Sequence, residues 1–274
     1  MNQNQLVDRI IAEVIARMKA ATGSPGPATT SGLTGPAAAA TPAAAATPAW
    51  AVTTPQDLAK LIDQTLLRPE ASAAALERLC QEAVELGFRS VCVNSSRVAL
   101  VARRLQGTDV KVCSVVGFPL GAMTSRAKAF ETREAISDGA GQIDMVINMG
   151  LLKAGDYRAV QEDIRAVRRA TRARTILGVI LETVLLSEHE KVLACEIARK
   201  AGADVVATST GFLGGVATVE DIALMRRTVG RDRGIKASGG VRTYASAVSM
   251  IRAGADRIGS TAGAAIISGA YRQP

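Results

Sequence analysis

Two polar residues lie where a strand pattern has no ordinary use for them. In Ile143-Asp-Met-Val-Ile-Asn148 the side chains of an extended segment alternate, so Asp144, Val146 and Asn148 share one face and Ile143, Met145 and Ile147 the other. The wholly apolar set suits packing on helices, which turns Asp144 to the interior. Lys236 raises the same question in Gly234-Ile-Lys-Ala-Ser-Gly-Gly-Val-Arg242, where Ile235 and Ala237 take the helix side and the lysine points inward. An isolated carboxylate or ammonium taken out of water is costly unless it is paired or used in chemistry. A structural ion pair would explain either residue alone; two matching anomalies favour a working site. Ser238-Gly239-Gly240 after one strand and Gly259-Ser260-Thr261 after the next expose backbone N–H groups at the heads of helices. Paired turns of this kind predict a bound phosphate.

Other chemistries have little material. The single histidine, His189, lies in the polar run 187–191 and reads as a solvated helix residue. His-based zinc sites and Ser/His or Cys/His nucleophile pairs are therefore not expected, and no metal site is predicted. Cys80, Cys92, Cys113 and Cys195 are widely spaced in apolar segments and form no CxxC pair, which predicts reduced packing residues and a cytoplasmic compartment. The net charge of +8 comes from basic residues dispersed among acidic ones; the densest run, Arg165 to Arg174, falls at a helix end, where cations favour the dipole. With 3% aromatic residues there are few stacking platforms, so anionic small molecules are preferred to nucleic acid as partners. No apolar stretch reaches the ~18 residues of a membrane span.

The elements that must position Asp144 and Lys236 alternate along residues 50–274. Candidate strands cover 61–66, 90–93, 111–117, 142–148, 175–182, 204–208, 234–237 and 257–259. Helical patterns follow at 71–86, 96–105, 125–138, 157–173, 187–200, 219–229, 244–252 and 263–267. This predicts a (β/α)8 TIM barrel, with chemistry at the strand ends. A doubly wound sheet is the alternative, but no glycine-rich dinucleotide fingerprint follows the first strand.

Two shorter regions precede the barrel. Leu6, Val7, Ile10, Ile11, Val14, Ile15 and Met18 recur at helical spacing within residues 1–20, with Asp8, Arg9, Glu13 and Arg17 opposite. Residues 21–49 are uncharged Ala, Pro, Gly, Thr and Ser, which predicts a disordered linker reaching about 30 Å. Charges interrupt every apolar pair, against a secretory signal, and Asp8 and Glu13 argue against a transit peptide. A lone amphipathic helix on a long tether is expected to dock on a partner. The pattern resembles the encapsulation peptides of bacterial microcompartments, which implies a shell-protein partner and a place inside such a compartment. An oligomerisation helix and a membrane-surface helix are the alternatives.

Residues 62–67 (IDQTLL), 92–94 (CVN), 116–121 (VGFPLG), 144–148 (DMVIN), 180–183 (ILET), 208–212 (TSTGF) and 236–243 (KASGGVRT) follow, in order and at fitting spacing, the motifs of the deoxyribose-phosphate aldolase family. The body resembles that family almost throughout. The resemblance implies cleavage of 2-deoxyribose 5-phosphate to acetaldehyde and glyceraldehyde 3-phosphate by class I chemistry, with no metal or cofactor. It makes Asp144 and Lys236 the proton-relay pair supported by Asp63 and Thr65. It places Gly211, Gly239, Gly240, Gly259 and Thr261 around the phosphate. It also exposes two departures: the Schiff-base lysine position holds Ala207, and that of a second active-site lysine holds Gly178. The family's C-terminal tyrosine tail is absent, with Tyr271 a partial substitute. Three readings follow: a microcompartment aldolase by family with its nucleophile missing, a non-catalytic phosphosugar-binding or scaffold protein, and an aldolase whose nucleophile has moved to Lys236. Lysines restored at 207 and 178 together are expected to recover more cleavage than either alone. A homo-oligomer is left open.

Overall fold

The computed structural model describes residues 52–270. The expected targeting helix, the linker, Trp50 and Tyr271 lie outside them. Eight parallel strands close into a barrel in sequence order: β1 (Ile62–Leu66), β2 (Ser90–Val93), β3 (Lys111–Val116), β4 (Gln142–Val146), β5 (Ile176–Ile180), β6 (Val205–Ala207), β7 (Gly234–Ser238) and β8 (Arg257–Ser260). Around them run α1 (Pro55–Ala59), α2 (Ala73–Glu85), α3 (Val98–Arg104), α4 (Ser125–Ser137), α5 (Met149–Lys153), α6 (Tyr157–Ala170), α7 (Glu188–Lys200), α8 (Val219–Val229), α9 (Tyr244–Ala253) and α10 (Gly263–Ala270). Strands covered on both faces bury nearly every residue, as parallel sheets do: β2 and β4 are buried throughout. No described helix is long and apolar enough to cross a membrane.

The helices start where short polar side chains can accept the first free N–H groups. Ser72, Thr124, Asp156, Ser187, Thr218 and Thr243 each cap the helix that follows. His189 is exposed on α7, and the four cysteines are free and buried.

The sequence pattern overextends several strands at their C-terminal ends, where the site begins. β4 stops at Val146 instead of 148 because Asn148 leaves the sheet to cap α5, accepting a hydrogen bond from the Leu151 N–H at 3.1 Å. β5 ends at Ile180 because Glu182 adopts a left-handed backbone, φ 56°. Apolar periodicity identifies neither α5 nor α1, although Thr54, Pro55 and Asp57 write a capping box before α1. A further pair is concealed in helix patterns: the fully buried Lys128 ammonium meets Asp163 at 2.6 Å and donates to the Val146 carbonyl at 2.9 Å, tying α4 to α6 and β4.

Candidate active site at the C-terminal mouth of the barrel

β1, β4 and β7 bring three charges together inside the barrel. The Lys236 Nζ donates to Asp144 Oδ2 at 2.8 Å and lies 2.7 Å from Asp63 Oδ2. Each carboxylate has a further donor: Ser90 Oγ to Asp63 Oδ1 at 2.7 Å, and Gln142 Nε2 to Asp144 Oδ1 at 3.0 Å. The Gln142 amide is itself oriented by Arg257, which donates to its Oε1 at 2.8 Å. The network therefore runs from the floor of the barrel to its mouth.

These contacts set the protonation of the lysine. Burial alone would push the Lys236 ammonium towards the neutral amine, but the Asp144 and then the Asp63 carboxylates outweigh it and hold the pKa well above the ordinary value. Burial likewise opposes ionisation of Asp63, yet Lys236 and then Arg257 keep its pKa below the ordinary carboxylate value. Lys236 is thus an ammonium fixed between two anions. A lysine nucleophile needs the opposite condition, a free amine.

Above this network opens a cavity of about 160 Å³. Ten of the twelve residues singled out from the sequence line it: Thr65, Asp144, Ala207, Gly211, Lys236, Gly239, Gly240, Gly259, Ser260 and Thr261. Asp63 lies fully buried beneath them, and Gly178 sits behind the Asp144 carboxylate. The Thr65 hydroxyl donates to the Asp63 carbonyl at 2.9 Å, so it is tied to the strand backbone and not to a carboxylate. The Ser260 hydroxyl is also engaged, donating to the Val241 carbonyl at 2.6 Å and accepting from the Ala262 N–H at 3.0 Å.

Two positions explain what the site lacks. Ala207 is 1% exposed and pairs in register with Lys236, but its methyl packs in an apolar cluster with Val146, Ile180, Phe118 and Met149. Gly178 pairs in register with Asp144, and a Cβ there would lie 2.4 Å from Asp144 Oδ1. The carboxylate occupies the space a side chain at 178 would need. For a lysine at 178 to reinforce one at 207, Asp144 would first have to shift from the place it holds between Gln142 and Lys236.

The β7 end of the cavity is built by turns that demand glycine. Gly239 and Gly240 have φ of 92° and 75°, and their missing Cβ atoms would approach the Gly215 carbonyl oxygen and the Val216 Cγ1, each at 2.8 Å. The turns are stitched together: Ser238 N–H donates to Thr208 Oγ1 at 2.9 Å, and Ser238 Oγ to the Ser209 carbonyl at 2.7 Å. Glu182 braces the loop from below, its Oε2 accepting from Thr210 N–H at 3.0 Å and from Thr210 Oγ1 at 2.5 Å.

Several site residues escaped the sequence reading. Gln142 shares strand parity with Asp144 and could have been found by extending the same alternation two residues back. Arg68 and Arg242, exposed cations at the mouth, carry no strand-embedded anomaly, and Phe118 and Phe212 meet edge to face at 5.1 Å only through the fold. Cys92, Cys113 and Asp144 offer ligand atoms within 4.8 Å of one another. The Lys236 ammonium already holds that carboxylate, and burial pushes the Cys113 thiol well above its ordinary pKa. The trio therefore favours thiol and ammonium over a divalent cation.

A closed (β/α)8 barrel with a buried lysine–carboxylate network under glycine-built turns defines an aldolase-like class. Residues 58–269 match the model of the DeoC/LacD family aldolases, and the chain belongs to that family. It is 57% identical over 214 residues to a deoxyribose-phosphate aldolase of Clostridium perfringens, covering 78% of this chain and 96% of that one. A Geobacillus deoxyribose-phosphate aldolase is 56% identical over 213 residues, with the same coverage of both chains. The deoxyribose phosphate aldolase of Aeropyrum pernix, described as having a unique tetrameric structure, superposes with a TM-score of 0.75 at 32% identity, covering 79% of this chain and 92% of that one.

Proposed function

We propose that the barrel binds the phosphorylated sugar or aldehyde of the deoxyribose-phosphate aldolase reaction, 2-deoxyribose 5-phosphate or glyceraldehyde 3-phosphate, without forming the Schiff base. The observation that carries this reading is the pairing of an apolar Ala207 with a Lys236 that is locked as an ammonium. Covalent aldol cleavage begins with an unprotonated amine attacking the carbonyl, and neither residue supplies one. What remains can still bind: backbone N–H groups after β7 and β8 for the phosphate, and the ammonium as a donor to a carbonyl or hydroxyl oxygen. The reading in which Lys236 has become the nucleophile is disfavoured by its two carboxylate partners.

Calorimetry with glyceraldehyde 3-phosphate should show saturable binding that weakens as sulfate is added, while acetaldehyde with borohydride should leave the mass of the protein unchanged. A covalent adduct mapped to Lys236 would establish the relocated nucleophile instead. Absence of binding at millimolar ligand would remove the phosphate assignment.

The targeting reading rests on the sequence of residues 1–49. Residues 1–20 are proposed to dock on a microcompartment shell protein, and deletion of residues 1–49 should abolish co-localisation with the shell while leaving the barrel soluble and its melting temperature unchanged. A large drop in melting temperature on deletion would mean that this segment stabilises the barrel instead. The tetrameric relative motivates a homo-oligomeric state, which light scattering on the full chain would read.

A further inference from the structure

Glu182 combines two features that destabilise a fold. Its backbone is left-handed, φ 56° and ψ 63°, the one such conformation outside glycine among the described residues. Its side chain is fully buried, and among the described residues no lysine or arginine pairs with the carboxylate. A strained backbone and a buried carboxylate without a counter-charge persist where the surroundings hold them for a purpose. The purpose is legible in what the two carboxylate oxygens touch.

One oxygen holds the start of a loop and the other lies against its end. Oε2 takes both donors of Thr210, the N–H and the hydroxyl, and that hydroxyl in turn accepts from the Phe212 N–H at 3.2 Å. Oε1 lies against Gly215, where a Cβ would stand 2.5 Å from it and 3.0 Å from Ser209 Oγ. Neither Oε1 nor the Ser209 hydroxyl has a hydrogen-bond partner. Both ends of the loop lead to the turn after β7. The Gly215 carbonyl oxygen is 2.8 Å from where a Gly239 Cβ would be, and the Ala217 N–H donates to the Gly239 carbonyl at 2.9 Å. Gly211 backs onto the same residue, its own Cβ position 3.9 Å from Gly239 Cα. Residues 209–212 and 238–240 all line the cavity.

Resting on the phosphate reading above, we infer that Glu182 is a positioning residue for the ligand's phosphate: through Thr210 and Gly215 it fixes residues 210–215 against Gly239, and so sets the spacing of the two glycine-bearing segments that receive the anion. It does this by geometry and against its own charge, since a carboxylate behind an anion site repels the anion. An amide at 182 accepts the same two bonds through its oxygen without that charge, and its NH2 group then stands on the side of the unpartnered Ser209 hydroxyl.

The test is calorimetric titration of the full chain and its Glu182→Gly, Glu182→Gln and Thr210→Val variants with inorganic phosphate and with glyceraldehyde 3-phosphate. Glycine adopts the left-handed backbone at 182 freely, so Glu182→Gly removes the carboxylate without straining the chain. Its affinity for both ligands should fall about 10-fold, the size of one lost hydrogen bond to a charged group, with an unchanged circular dichroism spectrum. Glu182→Gln should bind both ligands as tightly as the parent or more tightly. Thr210→Val should weaken binding alone and add nothing in the Glu182→Gly background, because both changes break the same bond. Parent-like binding of inorganic phosphate by Glu182→Gly, or a Glu182→Gln variant as weak as Glu182→Gly, overturns the positioning role and leaves the phosphate reading standing. So does a full further loss from Thr210→Val in the Glu182→Gly background, which would make Thr210 a direct ligand contact. If Glu182→Gly does not fold, Thr210→Val decides: weakened binding of inorganic phosphate supports the role and parent-like binding overturns it. If the parent binds neither ligand, both readings fall together.

Discussion

Replacing Ala207 with lysine should switch on imine formation at a site that otherwise lacks it. Residue 207 lines the cavity and pairs in register with Lys236, so an amine there would rise beside the ammonium and in front of Asp144. Two effects lower its pKa: burial, at a position 1% exposed, and the neighbouring positive charge of Lys236. The carboxylates oppose this, but both are already spent on Lys236. The apolar packing of Phe118 and Met149 against Ala207 must yield to the longer side chain, which pushes it into the cavity. Removal of a catalytic nucleophile elsewhere costs on the order of 10⁶ in rate. Recovery of about 10³-fold over the parent chain is expected, because the pair at 144 and 236 is present while the second lysine is not. Acetaldehyde release from 2-deoxyribose 5-phosphate, together with a borohydride-trapped adduct at residue 207, would record it. A folded Ala207→Lys variant that binds phosphate yet gives neither adduct nor acetaldehyde would show that the cavity has diverged beyond its missing amine.

What could be read from the sequence, and what could not, divides along physical lines. Alternation along β4 and β7 places Asp144 and Lys236 inside because a strand has only two faces, and one of them was fully apolar. The structure puts them 2.8 Å apart. The glycines after β7 were equally legible, since Gly239 and Gly240 hold φ values that other residues resist; Gly259 lies within β8 instead, where a Cβ would meet Lys236 Cε at 2.7 Å. Strand ends were not, because Asn148 and Glu182 leave the sheet through side-chain and backbone choices that hydrophobic period does not encode. The orientation of Gln142 by Arg257 joins residues far apart in the chain, and no local pattern carries that information. The same is true of Lys128 and Asp163, whose helices look like ordinary amphipathic segments until α4 and α6 are packed together.

The residue whose surroundings the sequence alone does not show is Gly178. Read as an absent lysine, it looks like a vacancy waiting to be refilled; in the barrel it faces the Asp144 carboxylate that Gln142 and Lys236 hold. Gly178→Ala is the smallest probe. The position does not have the left-handed backbone that requires glycine, and alanine in a strand is ordinarily better than glycine by roughly 0.5–1 kcal/mol, so propensity alone predicts a small gain. The contact predicts the opposite. A methyl carbon 2.4 Å from Asp144 Oδ1 and 3.2 Å from its Cγ requires the carboxylate to shift, and a shift that loses Gln142 or Lys236 leaves buried charge incompletely paired. Breaking such a pair costs about 3–5 kcal/mol, and a net loss of about 3 kcal/mol is expected in urea unfolding. The cause is separable by a double-mutant cycle. In an Asp144→Ala background the carboxylate is gone, so Gly178→Ala should cost nothing or stabilise slightly, giving a coupling above ~2 kcal/mol. A cost below ~0.5 kcal/mol in the parent, or an equal cost in both backgrounds, would mean that Asp144 has room to move. In that case a lysine at 178 could again assist one at 207, and the site would be an aldolase centre short of two side chains. With the coupling present, the network has been rebuilt around a glycine, and adding lysine at 178 to Ala207→Lys should lower both stability and acetaldehyde release.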